Sequence, residues 1–295
     1  MEFYKTGALF VQLVDNGLAI GLIYVMVASG LVLVLGIARV FNFAHGQFYM
    51  LGAYATYFLI TLFEMNVLPA LIIALAIGVF LGGVSYRAVF HYMRGDLLRC
   101  GAASIAISMI LQQLVSIVLK PTSYGVNIAI FSQIIEIGGV TLLVGRLILI
   151  FLCLLVMSGL YYLLKCTKTG KAMRAISLDS TVASLLGINT VKIYWVTLAL
   201  GSGLAAIAGG AIAPLFVINS DMGSNVILIV FMVMVVGGIE SLPGAVVAGI
   251  LIGFLQSFGY HFLTGYAELF MFCFVAVLLI FKPRGIFGTF VKEVY

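Results

Sequence analysis

Long apolar runs at about 17–36, 41–63, 67–86, 100–119, 146–164, 193–217, 225–239, 244–262 and 266–281 constrain this chain more than any other feature. A run of about 20 apolar residues, coiled as a helix, matches the roughly 30 Å hydrocarbon core of a bilayer. Within lipid the backbone can satisfy itself only as a helix or a closed barrel. The runs show no apolar/polar alternation, so they predict helices rather than barrel strands. Those at 41–63 and 225–239 are interrupted or brief, which marks one or two segments as broken or re-entrant. The expected fold is an all-α polytopic transmembrane bundle of about eight spans, within a range of about seven to nine. Residues 1–295 read as one transmembrane domain. Only 8% of the chain is charged and 64% is hydrophobic, against about 25% charged in soluble domains. Such a chain cannot cover its own surface in water, so the excess must face lipid.

The charges report sidedness rather than a nucleic-acid partner. The net charge is +5, from 15 Lys+Arg and 10 Asp+Glu. Cytoplasmic loops collect Lys and Arg. With the N-terminus outside, Arg39, Arg87, Arg94, Arg99, Lys165, Lys168, Lys171, Arg174, Lys192, Lys282, Arg284 and Lys292 fall inside. Only Lys5, Lys120 and Arg146 fall outside. That bias predicts an external N-terminus and a cytoplasmic C-terminus. Met1 to Lys5 lack the basic start, apolar run and cleavage site of a secretory leader.

Several chemistries find no residues here. Cys100, Cys153, Cys166 and Cys273 are far apart and form no metal-ligand spacing. His45, His91 and His261 are scattered, with no nucleophile–base pair, so no enzyme and no cofactor are expected. Gly170-Lys171 is followed by Ala172 and lacks the upstream glycine of a phosphate-binding loop. If ATP drives transport, another chain hydrolyses it.

Two regions carry informative polar residues. In residues 165–192, Asp179 or Ser180 suits a helix N-cap and Gly187 suits a helix stop. Between them Val182, Ala183, Leu185 and Leu186 make an apolar face too short to cross a membrane. Upstream, Ala172, Ala175 and Ile176 share one side while Lys171, Arg174 and Ser177 take others. Two small helices of this kind fit a groove on a partner protein, and they fit equally a surface of anionic lipid headgroups. In residues 41–54, Asn42, His45, Gln47 and Tyr49 stand among Phe41, Phe43 and Phe48. Polar groups at membrane depth are costly without partners or a wet cavity. Gly46 offers a helix break, and a broken helix can turn its N-terminus toward a substrate. Hydrogen bonds to neighbouring helices are the alternative role for Asn42 and His45.

Small residues recur at helical spacing. Gly201, Ala205 and Gly209, and again Gly249 and Gly253, predict close helix contacts. Asn219 and Asp221 follow Pro214 in a short outer loop, where capping a helix is the expected role. Residues 120–145 read as an outer loop with room for a short hairpin.

Four ordered motifs resemble the ABC-transporter permeases of the branched-chain amino acid class. Ile37-Ala38-Arg39-Val40-Phe41-Asn42-Phe43-Ala44-His45-Gly46-Gln47-Phe48-Tyr49-Met50-Leu51-Gly52-Ala53-Tyr54 is similar to that family's N-F-A-H-G-x-x-x-M-x-G-A-Y signature. Arg174-Ala175, the Asp179 region and the stretch from Ala183 to Asn189 resemble its cytoplasmic loop. Gly237-Gly238-Ile239-Glu240-Ser241-Leu242-Pro243-Gly244-Ala245 is close to G-G-x-G-S-x-x-G-A, with Glu240 where glycine is usual. Lys282-Pro283-Arg284-Gly285-Ile286-Phe287-Gly288 is close to the C-terminal P-x-G-I/L-x-G.

The resemblance implies the inner-membrane permease subunit of an importer for branched-chain or other hydrophobic amino acids. It further implies two cytoplasmic ATPase subunits, a second related permease chain and an extracytoplasmic substrate-binding protein. On this basis Lys171, Arg174, Ala175, Asp179, Ala183, Leu186 and Gly187 are assigned to ATPase coupling. Asn42, His45, Gln47 and Glu240 are assigned to the translocation path. Urea or short amides are alternative cargoes. A stand-alone secondary transporter is the alternative class, and the lack of a membrane-embedded acid relay disfavours it.

Overall fold

The computed structural model describes residues 2–119, 122–126, 128–137 and 140–288. Lys120, Pro121 and Lys292, used in the charge map and the loop reading, lie outside these residues, as does the side chain of Lys5. Each of the nine apolar runs forms a helix. They are α1 (Glu2–Leu33), α2 (His45–Phe63), α3 (Val67–Ala88), α4 (Leu97–Leu119), α5 (Val144–Cys166), α8 (Thr190–Ile212), α9 (Met222–Gly237), α10 (Leu242–Phe262) and α11 (Ala267–Phe281). Two short helices, α6 (Lys168–Leu178) and α7 (Ser180–Leu185), fill the basic loop. One small antiparallel hairpin, β1 (Ile134–Ile137) and β2 (Val140–Leu143), lies between α4 and α5.

Among the described residues six helices are long and apolar enough to cross a membrane: α1 with its π-helical extension, α3, α4, α5, α8 and α10. The helices α9 and α11 are apolar but shorter. The chain is therefore an all-α polytopic bundle.

Glycine brings the central helices together. A Cβ built on Gly209 would lie 1.9 Å from the Tyr49 carbonyl oxygen, and one on Gly52 would lie 2.0 Å from that of Ala206. Neither position tolerates a side chain without parting α2 from α8. Gly253 meets the Gly21 backbone at 2.4 Å in the same construction, and Gly201 meets the Gly30 carbonyl oxygen at 2.8 Å. So α1, α2, α3, α8 and α10 touch backbone to backbone, the geometry that favours helix association where lipid supplies no hydrophobic drive. By contrast α4 buries almost none of its surface and packs against α2 and a short 3-10 helix, Phe90–Met93.

The basic loops gather at one end. Leu33 and Ile37 of the first helix pack with Leu160, Met173, Ile176, Ala183 and Ile193. Ala38, Tyr86, Phe90 and Cys100 pack together beside them. The C-terminal motif docks there too: Ile286 and Phe287 donate backbone hydrogen bonds to the carbonyls of Val236 (2.7 Å) and Gly237 (3.1 Å). Two motifs far apart in sequence are thus one structural unit. The hairpin, residues 122–126 and the 213–221 turn occupy the other end, where Tyr124 pairs with Ile218.

Candidate functional site

The 165–192 elbow is a pair of capped helices. The Thr167 hydroxyl accepts from the Gly170 amide (3.0 Å) and starts α6. One Asp179 carboxylate oxygen accepts from the amides of Thr181 (2.7 Å) and Val182 (3.0 Å), so Asp179 rather than Ser180 caps α7. Gly187 takes φ +85° and ends α7, where Ile188 donates back to the Ala183 carbonyl (3.1 Å). Asn189 then caps α8 through the Lys192 amide (3.0 Å).

Three side chains fasten the elbow to the bundle. Met173 is fully buried, and Ile176 and Ala183 nearly so. The sequence reading placed Ala172, Ala175 and Ile176 on one side, as a face suited to a partner's groove, and overlooked Met173; the structure turns Met173 and Ile176 into the bundle instead. The i, i+3 spacing of Met173 with Ile176 was the available signal. Lys171, Arg174, Asp179, Leu186 and Gly187 are exposed, and Ala175 is half-buried. Leu178 is 87% exposed, Leu185 82% and Leu186 76%, an apolar rim that nothing among the described residues covers. Arg174 has a second job. Its guanidinium donates to the Leu164 carbonyl at the C-terminal end of α5, where helix carbonyls lack internal partners.

The 37–54 motif breaks the first hairpin of helices. After Leu33 the helix widens to a π-helical turn, Val34–Ala38, a form frequent at functional sites. Arg39 then turns left-handed at φ 51°. Residues 39–44 are not helical, and α2 starts at His45. The break therefore lies at Arg39 to Ala44, not at Gly46. Gly46 sits inside α2, where its Cβ would fall 2.1 Å from the Gly223 carbonyl oxygen, so it serves close contact with α9.

His45 is buried and donates from Nε2 to the Val27 carbonyl (3.0 Å), its ring lying against Gly30. Asn42 is fully buried, and its side-chain amide has no partner among the described residues. Gln47 is fully buried as well. Its amide nitrogen donates to Ser108 (3.0 Å) and Ser224 (3.2 Å), while its Oε1 is unpartnered among the described residues. The backbone amide of Phe43 donates to Ser104 (2.9 Å). Phe41, Phe43 and Phe231 cluster alongside, with ring centroids 4.8–6.3 Å apart.

Glu240 is not brought to this group. It is exposed in the turn between α9 and α10, on the elbow's end of the bundle, near Gly36. Its backbone does not take a positive φ, whereas Gly238 does at 106°. A non-glycine residue at position 240 is therefore unstrained.

Asp221 also departs from expectation. It makes no side-chain cap for α9. Its carboxylate accepts from Gln112 of α4 (2.8 Å), and the Asn219 side chain takes the local turn by accepting from the Asp221 amide (3.1 Å). Ser104, Ser108 and Gln112 recur every four residues along α4, a polar stripe legible in the 100–119 run but not singled out there. Among the described residues no group of His, Cys, Asp and Glu is arranged to hold a metal ion.

The sequence pattern of the family described as "Branched-chain amino acid transport system / permease component" matches residues 13–281. The chain is 31% identical over 300 residues to the high-affinity branched-chain amino acid transport system permease protein LivH of Escherichia coli K12, covering 95% of this chain and 96% of that one. It is 30% identical over 297 residues, with the same coverage, to the corresponding BraD of Pseudomonas aeruginosa. A probable LivH of Methanocaldococcus jannaschii is 28% identical over 286 residues, covering 90% of this chain and 88% of that protein. No solved structure matches. With a bundle of membrane-crossing helices, the glycine-rich motifs in order and nearly full-length relatives, this chain belongs to the branched-chain amino acid transport system permease family.

Proposed function

We propose that this chain is the permease subunit of an ABC importer in the inner membrane, forming the translocation path for branched-chain or other hydrophobic amino acids. Two cytoplasmic ATPase subunits energise it, a second related permease chain completes the path, and an extracytoplasmic binding protein delivers cargo. Residues 1–295 act as one transmembrane domain. The N-terminus is outside and the C-terminus cytoplasmic. Termini on opposite sides require an odd number of traversals. Six long helices, α9, α11 and the broken 39–63 segment supply nine, at the upper end of the expected range.

The observation that carries this reading is the elbow. It is locked to the bundle by Met173, Ile176 and Ala183, it stands at the basic end, and it offers Leu178, Val182, Leu185 and Leu186 outward. A rigid, capped, apolar projection suits insertion into a groove on another protein, read as helix-in-groove recognition. Closure of the ATPases then moves the elbow, and rigid-body shifts of packed helices open the path to one side and then the other. Lys171, Arg174, Ala175 and Asp179 shape that contact. Gln47 lines the path, Asn42 and His45 hold the break beside it, and Glu240 stands at its cytoplasmic mouth.

Leu186→Asp tests the reading best. Its side chain is exposed and supports nothing among the described residues, whereas Arg174→Glu would also strip a bond from α5. The variant should insert normally, lose the ATPase subunits on purification and abolish uptake. Unchanged co-purification and uptake would refute the coupling role.

A further inference from the structure

The polar stripe of α4 faces a row of polar residues at the start of α9, and the two rows form a polar lane. Ser108 and Gln112 are half-buried on one side of it, and Ser224 and the exposed Asp221 and Asn225 line the other. Fully buried Gln47 forms the floor. A chain of hydrogen bonds spans the lane: Gln112 donates to Asp221 (2.8 Å), Ser224 donates to Gln112 (2.8 Å), and Gln47 donates to Ser224 and Ser108. The seam is held by these side chains rather than by packing, since α4 packs on α2 and not closely on α9. Met109 (67% exposed), Leu114 (52%) and Leu228 (57%) flank it with apolar surface.

Gln112 lies seven residues before Leu119, the end of α4, or about 10 Å along the axis. Asp221 meets it from the turn just before α9. Among the described residues the ion pairs are Arg99–Asp96 and Arg146–Asp15, and neither involves Asp221. The lane therefore offers one anionic group, several neutral donors and acceptors, and an unpartnered Gln47 Oε1. One α-helical step further in, beside Ser104, begins the Phe41–Phe43–Phe231 cluster.

From this arrangement we propose that Asp221, held by Gln112, is the subsite for the ammonium group of a translocating α-amino acid. The Gln47–Ser108–Ser224 amide and hydroxyls take the remaining polar groups, and the phenylalanine cluster receives the apolar side chain. The proposal rests on the permease reading above and adds to it the residue that meets the cargo's ammonium group. A neutral amide such as urea could hydrogen-bond the carboxylate but would form no ion pair with it.

The test uses the whole importer with its binding protein, in proteoliposomes, with radiolabelled leucine. Asp221→Asn keeps an oxygen for Gln112 and removes only the charge. It should lower ATP-driven leucine uptake by about tenfold or more, because the ammonium would lose its counter-charge. Subunit composition should stay at the wild-type level, and Asp221→Glu should restore most of the uptake. In an Asn225→Cys background, leucine should slow alkylation of the new thiol, and its deaminated analogue 4-methylpentanoate should not. Unchanged uptake by Asp221→Asn overturns the subsite. So does loss of the second permease chain from the Asp221→Asn assembly, which would put the counter-charge on that chain. Equal protection by the two solutes overturns it as well. Failure of the wild-type assembly to carry leucine would instead strike the permease reading itself.

Discussion

Met173→Ala separates the elbow's anchorage from its contact surface. Met173 is fully buried among Leu160, Ile37, Ile193 and Ile176, and it takes no part in the exposed apolar rim. Truncating a buried Met to Ala costs about 2–5 kcal/mol, depending on how far the site collapses. The elbow sits at the end of the bundle, so this cost falls on its local docking rather than on the transmembrane helices. Even the lower figure of about 2 kcal/mol corresponds to roughly thirtyfold more frequent undocking, at about 1.4 kcal/mol per tenfold. Hydrogen exchange in lipid nanodiscs reads this directly. Amides of α6 and α7 should exchange roughly thirtyfold faster, while those of α8 and α10 keep their protection. In the assembled importer the ATPase subunits should still bind, because Leu185 and Leu186 are untouched, but their hydrolysis should no longer drive uptake. Exchange unchanged in α6, or raised equally in α10, would refute the view that Met173 pins the elbow as a separable lever.

Three further outcomes follow from the same packing. Asp179→Ala removes the acceptor for two amides and should weaken α7 by about 1 kcal/mol, seen as faster exchange at Thr181 and Val182, and Asp179→Ser should recover most of the loss. Gly52→Val forces a side chain onto the Ala206 backbone. Overpacking of about 1–3 kcal/mol or more should lower the thermal midpoint of the detergent-solubilised chain, whereas Gly159→Ala, which meets nothing within 4 Å, should leave it unchanged. Gly285→Ala forces a positive-φ residue (φ +79°) and crowds the Val235 carbonyl oxygen at 2.6 Å, so trypsin should cut the C-terminal segment after Arg284 faster than in the wild type.

What could be read from the sequence divides along a physical line. Each apolar run became a helix because a bilayer-length run has one way to satisfy its backbone, and that signal is local. Asp179 and Gly187 were legible for the same reason: caps act within three or four residues of themselves. Room for a short hairpin in residues 120–145 was read from the punctuation at Pro121, Tyr124 and Gly125 and the β-branched residues after them, and β1 and β2 form one there. Interactions across long sequence separations were not legible. Gln112 meets Asp221 at a separation of 109 residues, and Gln47 meets Ser224 at 177. No local pattern distinguishes an aspartate that caps from one that reaches across to another helix. Gly46 was read as a breaker because glycine commonly is one, yet the space it clears belongs to Gly223 of a helix not adjacent in sequence. Glu240 was grouped with Asn42, His45 and Gln47 by residue type, and the fold sends it to another level of the bundle.

The glycine contacts that join α1, α2, α3, α8 and α10 bring those backbones against one another at several points, with little side chain between them there to absorb a displacement. Such a block resists shear within itself more than a seam of long side chains does. Whatever slides during a cycle must slide at joints made of rotatable groups, and the seam between α4 and α9, bridged by glutamine and serine, is such a joint. Carrier and moving part would then be the same few hydrogen bonds, re-formed with solute in place and broken as it leaves.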